Sequence, residues 1–147
     1  MIEVRVKLVG FDQKGEHPVV ILEEVGGDRY LSLSIGPTEA TAIELNPLGD
    51  EPHRLPHTHD LLLEVVQRYG GKLSRAIITD CRQDTFYAAL ELEGVSDPGP
   101  LDCRPSDAIA LATRSHAPIF VTEAVAAQAM RRIPRHPRPP DYPPAAG

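Results

Sequence analysis

Two short polar stretches open apolar, helix-forming runs, and they hold most of the residues whose types and spacing could do chemistry together. In RPSDAIALA, Arg104, Ser106 and Asp107 lie within four positions, and in PHTHDLL, His57, Thr58, His59 and Asp60 are contiguous. Imidazole and carboxylate can hold a divalent ion or move a proton, and a guanidinium can clamp a phosphate. His57-x-His59-Asp60 resembles half of a metal site, but no second histidine cluster completes it; His17, His53, His116 and His136 are dispersed. Each stretch also has a plainer reading. Pro105 suits a first helical position, and Asp107 two residues later can accept from free amides and offset the helix dipole, an effect on the order of 1 kcal/mol. Thr58 is the expected N-cap of its own helix, with His59 and Asp60 in the first turn. Capping leaves Arg104 and Ser106 without a role. An arginine entering a helix N-terminus is unfavourable unless an anion, or a carboxylate such as Asp102 or Asp107, answers it.

The elements that must position these residues can be read from pattern. Ile2, Val4, Val6 and Leu8 alternate with polar residues, and PVVILEEV and RYLSLSI flank Gly26-Gly27-Asp28, so the first third reads as a β-meander with one buried face. Gly36-Pro37 opens a helix that Asn46-Pro47 interrupts, and residues 46 to 57 hold three prolines and no period, a loop. Leu62, Val65, Val66 and Tyr69 recur on one helical face before Gly70-Gly71, which predicts a helix covering the sheet. KLSRAIITDC and TFYAALELE, joined at Arg82-Gln83-Asp84, read as a second hairpin. A short LDC strand leads into the RPSDAIALA helix, which Pro118 ends; IFV is a last strand, and Thr122 caps a final helix carrying Val125, Ala126, Ala129 and Met130. The fold class is α+β, a mixed, largely antiparallel sheet built from two hairpin units with three to four covering helices. Residues 1–133 form one domain, and residues 134–147, rich in proline and arginine, are expected to be a disordered tail.

Composition narrows the partners. With 41% hydrophobic and 24% charged residues the chain is close to the globular average, and no run is long enough for a membrane span. The N-terminus lacks the pattern of a signal peptide, so a cytoplasmic protein is expected, and Cys81 and Cys103 make neither a disulfide framework nor a zinc site. Residues 131–147 hold Arg131, Arg132, Arg135 and Arg138 against Asp141, a formal +3 within a net charge of −6; residues 1–130 therefore carry −9. An acidic body argues against tight non-specific binding to nucleic acid and leaves local arginine clusters as the means of meeting phosphate. Nucleophile-elbow, Walker and dinucleotide-binding glycine motifs are absent from the sequence.

PVVIL (18–22), IGPTEATAI (35–43), THDLL (58–62), DTFYAALEL (84–92), RPSDAIALA (104–112) and APIFV (117–121), in this order, resemble the bifunctional nuclease domain family of bacteria and plants. The likeness spans about residues 1 to 130. It implies an α+β domain that self-associates, and a homo-oligomer is expected. It also implies nuclease activity on RNA or DNA, with RNA or single-stranded DNA as substrate. The motif positions carried over are Thr58, His59 and Asp60; Asp84, Thr85, Phe86 and Tyr87; and Arg104, Pro105, Ser106 and Asp107. Phosphodiester hydrolysis of this kind would use Mg²⁺ or Mn²⁺ held by Asp60 and Asp107, His59 as base and Arg104 as phosphate clamp, with Thr58, Thr85, Tyr87 and Ser106 binding substrate. The alternative is a non-catalytic oligomeric module for a small anion or a protein partner, in which both helix starts are caps.

Overall fold

The computed structural model describes residues 1–44, 55–96 and 99–134. The expected loop at 46–57 lies mostly outside these residues, as does His53, and so does the expected tail from residue 135 onward. The elements are β1 (Ile2–Phe11), β2 (Pro18–Glu24), β3 (Arg29–Ser34), α1 (Pro37–Glu44), α2 (Thr58–Arg68), β4 (Lys72–Arg82), β5 (Thr85–Glu93), β6 (Leu101–Cys103), α3 (Pro105–Ser115), β7 (Ile119–Val121), α4 (Glu123–Ala129) and β8 (Arg131–Arg132). One sheet runs in the order β6-β5-β4-β7-β1-β2-β3-β8. All neighbours are antiparallel except β4 and β7. The α+β class and the two hairpin units are therefore as the sequence predicts. The join is β7, three residues long, which pairs Ile119 with Ala76 on one side and Val4 on the other.

The core is built around α3. Ala108 to Ala112 are buried without a break, and the helix packs against α1, α2, β4 and β5. Three alanines in those five residues let the backbones approach closely, while Ile109 and Leu111 fill the space between. Leu31 and Leu33 of β3 are buried and Ser32 and Ser34 exposed, the expected alternation. In β1 the alternation breaks. The register against β2 shifts between Val6 and Leu8, and this bulge turns Leu8, expected inside, to solvent. Gln83 (φ 49°) and Asp84 (φ 63°) form a two-residue turn between β4 and β5, both in the left-handed region that such hairpins require.

Two helix expectations need correction. The N-cap of α2 is His57, whose backbone N–H donates to Asp60 Oδ2 at 2.9 Å, and Thr58 is the first helical residue. The side chain three positions into the helix reaches back to the cap, so the register moves by one residue. Of the α2 face expected to cover the sheet, Leu62, Val65 and Tyr69 are exposed and Val66 is partly buried; Leu63, outside that face, is the α2 residue packed against the core. Period alone locates an apolar stripe without saying what covers it. The cap of α4 is as predicted, with Thr122 Oγ1 accepting from the Val125 amide.

Candidate functional site

Both polar stretches become helix starts of the same design. In α2 the cap is His57 and the third helical residue is Asp60; in α3 the cap is Arg104 and the third residue is Asp107. Each aspartate lies where the free amides favour negative charge, and each reaches across to the other helix. Asp107 Oδ1 meets His59 Nε2 of α2 at 3.0 Å, and Asp60 Oδ1 accepts from Arg114 Nε of α3 at 2.8 Å. The two helices are thus clasped by reciprocal contacts.

The two ends of the clasp differ in burial. The Arg114 side chain is 1% exposed and Asp60 16%. Arg114 Nη1 also donates to the carbonyls of Ala42 and Ala110, so this guanidinium ties the end of α1 to α2 and α3. Arg104, by contrast, is 63% exposed. Its Nε and Nη2 donate to the two oxygens of Asp107 at 2.8 and 3.0 Å, and its Nη1 to Glu39 of α1 at 2.9 Å. The Arg104 fork and the His59 ring together hold the Asp107 carboxyl below its ordinary range. Glu39 is lowered by its own backbone amide and by Arg104, and Arg104 is raised by Asp107 and Glu39.

This geometry can do chemistry. If Nε2 of His59 carries the proton it donates to Asp107, Nδ1 is left with a lone pair, as in a base oriented by a carboxylate. Arg104 has five N–H donors and uses three, so two remain for an incoming anion. Below the array is a cavity of about 710 Å³ between α1, α2, α3 and β6. Its floor is the buried Leu90 and Leu111, and the exposed Leu62 and Leu101 line it together with His59 and Arg104. Cys103 also lines it, but burial first and then the nearby Asp107 and Asp102 push its thiol up to about 11, which leaves no thiolate for attack at neutral pH.

The other expected residues distribute as follows. Thr58 lines the same cavity. Thr85 and Ser106 line a second cavity on the other side of Arg104. Tyr87 lies with its ring 5.1 Å from the Arg82 guanidinium carbon, outside both linings. Asp60 and Asp107, expected to share a divalent ion, are each held by a different arginine. No group of three His, Cys, Asp or Glu suited to a metal occurs among the described residues. As arranged, the donor set does not fit Mg²⁺ or Mn²⁺. Two participants were not legible as such in the sequence: Glu39, which reads there only as a favourable first-turn charge, and Arg114, which sits between Thr113 and Ser115 and reads there only as a favourable last-turn charge.

The family model described as bifunctional nuclease domain matches residues 20–134. This chain belongs to the bifunctional nuclease domain family. An uncharacterized protein of Mycobacterium tuberculosis is 43% identical over 134 residues, covering 91% of this chain and 79% of the relative. Bifunctional nuclease 1 of Oryza sativa subsp. japonica and a bifunctional nuclease of Oryza minuta are each 28% identical over 118 residues, covering 78% of this chain and 35% of the rice proteins. The matched segment takes in every member of the clasp, from Glu39 to Arg114. No helix among the described residues is long and apolar enough to cross a membrane.

Proposed function

We propose that this bifunctional nuclease domain cleaves phosphodiester bonds of RNA or DNA with His59, Asp107 and Arg104 as its working residues. The observation that carries the reading is the 3.0 Å contact between His59 Nε2 and Asp107, beside an Arg104 that is anchored yet open to solvent. His59 Nδ1 takes the proton of the attacking hydroxyl, from water or from a ribose 2′-OH, as its oxygen bonds to phosphorus; the P–O bond to the departing sugar oxygen breaks, and that oxygen takes a proton from solvent, to which the imidazolium returns its own. Asp107 fixes the tautomer and stabilises the imidazolium that forms. The two spare N–H groups of Arg104 meet the charge that develops on the phosphoryl oxygens. The apolar floor beneath offers a surface for a base. No step is assigned to Mg²⁺ or Mn²⁺, because using Asp60 or Asp107 as ligands would mean displacing Arg114 or Arg104.

The test is cleavage of labelled RNA and of single- and double-stranded DNA by the wild type and a His59→Gln variant purified in parallel, with Mg²⁺, Mn²⁺ or EDTA. Cleavage that survives EDTA and is lost with His59→Gln supports the array. Cleavage that persists at the wild-type rate in the variant refutes it.

Self-association belongs to the same reading. Val65 and Tyr69 of α2 are exposed beside Leu62, which continues into the apolar floor, and a second copy of the chain is the occupant this face suits. Sedimentation of wild type and Val65→Lys tests it: the variant should be the smaller species, and equal mass would rule this face out.

A further inference from the structure

The sequence around and beyond Pro134 has a period of its own. Pro134, Pro137, Pro140 and Pro143 recur at every third position, and Arg132, Arg135 and Arg138 recur at the same spacing, two residues ahead of the prolines. Three residues make one turn of a polyproline II helix, so in that conformation the prolines would form one ridge and the arginines another. Proline ridges dock on aromatic-lined grooves, and a basic ridge beside them calls for a carboxylate in the same groove.

A groove with these features lies on the side of Arg104 away from His59. Two depressions of about 490 and 390 Å³ share Ser32, Asp84 and Phe86 and so form one continuous groove. The sheet curls enough for β3 and β5, far apart in strand order, to line it together. Tyr30 and Phe86 supply aromatic faces. Asp84 stands at the junction of the two depressions, held at φ 63° in the β4–β5 turn, and has no ion pair among the described residues. Glu39 and Arg104, at one end, are already paired with each other, and Arg131, at the other, makes no salt bridge to Asp84. Asp84 is therefore the carboxylate left for an incoming cation.

The described chain ends beside this groove. Arg131 lines it, Arg132 pairs with Asp28, and the Ile133 amide donates to the Asp28 carbonyl at 2.8 Å. Arg132 lies opposite Arg29, about 10 Å along β3 from Ser32 at roughly 3.3 Å per residue. Residues 135–147 can span about 40 Å at roughly 3.1 Å each, enough to turn back and cross both depressions. So short a tether supplies an effective concentration on the order of mM, so a contact of similar intrinsic affinity is already populated.

We propose that this groove is the docking site of the chain's own residues 135–147, with the proline ridge on Tyr30 and Phe86 and Arg138 on Asp84. The experiment is amide NMR on the full ¹⁵N-labelled chain at two protein concentrations. Arg138→Glu should shift the amide signals of Asp84, Thr85 and Phe86, and so should a Pro137→Ala, Pro140→Ala double variant. The signal of Gly15, in the β1–β2 turn, should stay in place and shows that the fold is kept. Asp84→Asn keeps the shape, tolerates the positive φ and removes the charge, so it should shift the amide signal of Arg138 in return. Groove signals that coincide in the wild type and both tail variants overturn the proposal, as does an Arg138 signal unmoved by Asp84→Asn. Shifts that grow with protein concentration place the segment in the groove of a second copy and overturn docking within one chain.

Discussion

The starts of α2 and α3 are built alike and used differently. Each places an aspartate at the third helical position, and each aspartate is held by an arginine. Asp60 is held by Arg114, whose side chain is sealed in the core, and Asp107 by Arg104, which stands in solvent between two cavities. A buried pair is costly to break because the partner left behind loses both water and counter-charge, whereas an exposed pair contributes little to stability and can exchange partners with a ligand. The same local grammar therefore gives a fastener at one helix and a working group at the other.

The largest effect that could break this comparison is on stability. Arg114→Ala should cost about 3 kcal/mol or more by denaturant unfolding, since it leaves Asp60 half-buried without its guanidinium and unties the end of α1. A midpoint within error of wild type would mean that the fastener is not one. Next in size, His59→Gln should lower kcat/KM for cleavage at least about a hundredfold, the usual contribution of a positioned base, with a near-normal melting curve. Arg104→Lys keeps the charge and loses the planar fork, so cleavage should fall about tenfold while unfolding barely moves; a rate equal to wild type would make Arg104 a solvated residue. The smallest effect is in acid. Asp107 titrates below its ordinary 3.8 in the folded protein, so its pairing stabilises above that value and is lost as pH falls through the lower folded value. The stability difference between wild type and Asp107→Asn should shrink as pH falls below about 3.8; a difference that grows below that value would reverse the assignment.

What the sequence made legible was local. Alternation in β3, the first-position prolines at 37 and 105, and Thr122 each act through neighbours a few residues away, and each is where the pattern places it. The bulge in β1 was not legible, because its signal lies in the pairing with β2 rather than in the alternation of β1 itself. Nor was the parallel insertion of the three-residue β7, whose partners lie more than forty positions away. At the site, the residue types were readable but their partners were not. The family resemblance and the like grammar of the two helix starts suggested Asp60 and Asp107 as one pair of ligands; the packing of α2 against α3 instead crosses them, giving His59 to Asp107 and Arg114 to Asp60. Arg114 was hidden for the same reason, since an arginine in the last turn of a helix, between Thr113 and Ser115, reads as exposed until its carboxylate is found.

The most direct test is cleavage per folded molecule, with the folded fraction taken from unfolding curves, for Asp60→Asn and Asp107→Asn beside wild type. The account predicts a crossed result: Asp60→Asn melts well below wild type but cleaves RNA at a near-normal rate per folded molecule, and Asp107→Asn stays folded but loses most of its cleavage. Asp107→Asn cleaving at the wild-type rate, or Asp60→Asn inactive while fully folded, would contradict it.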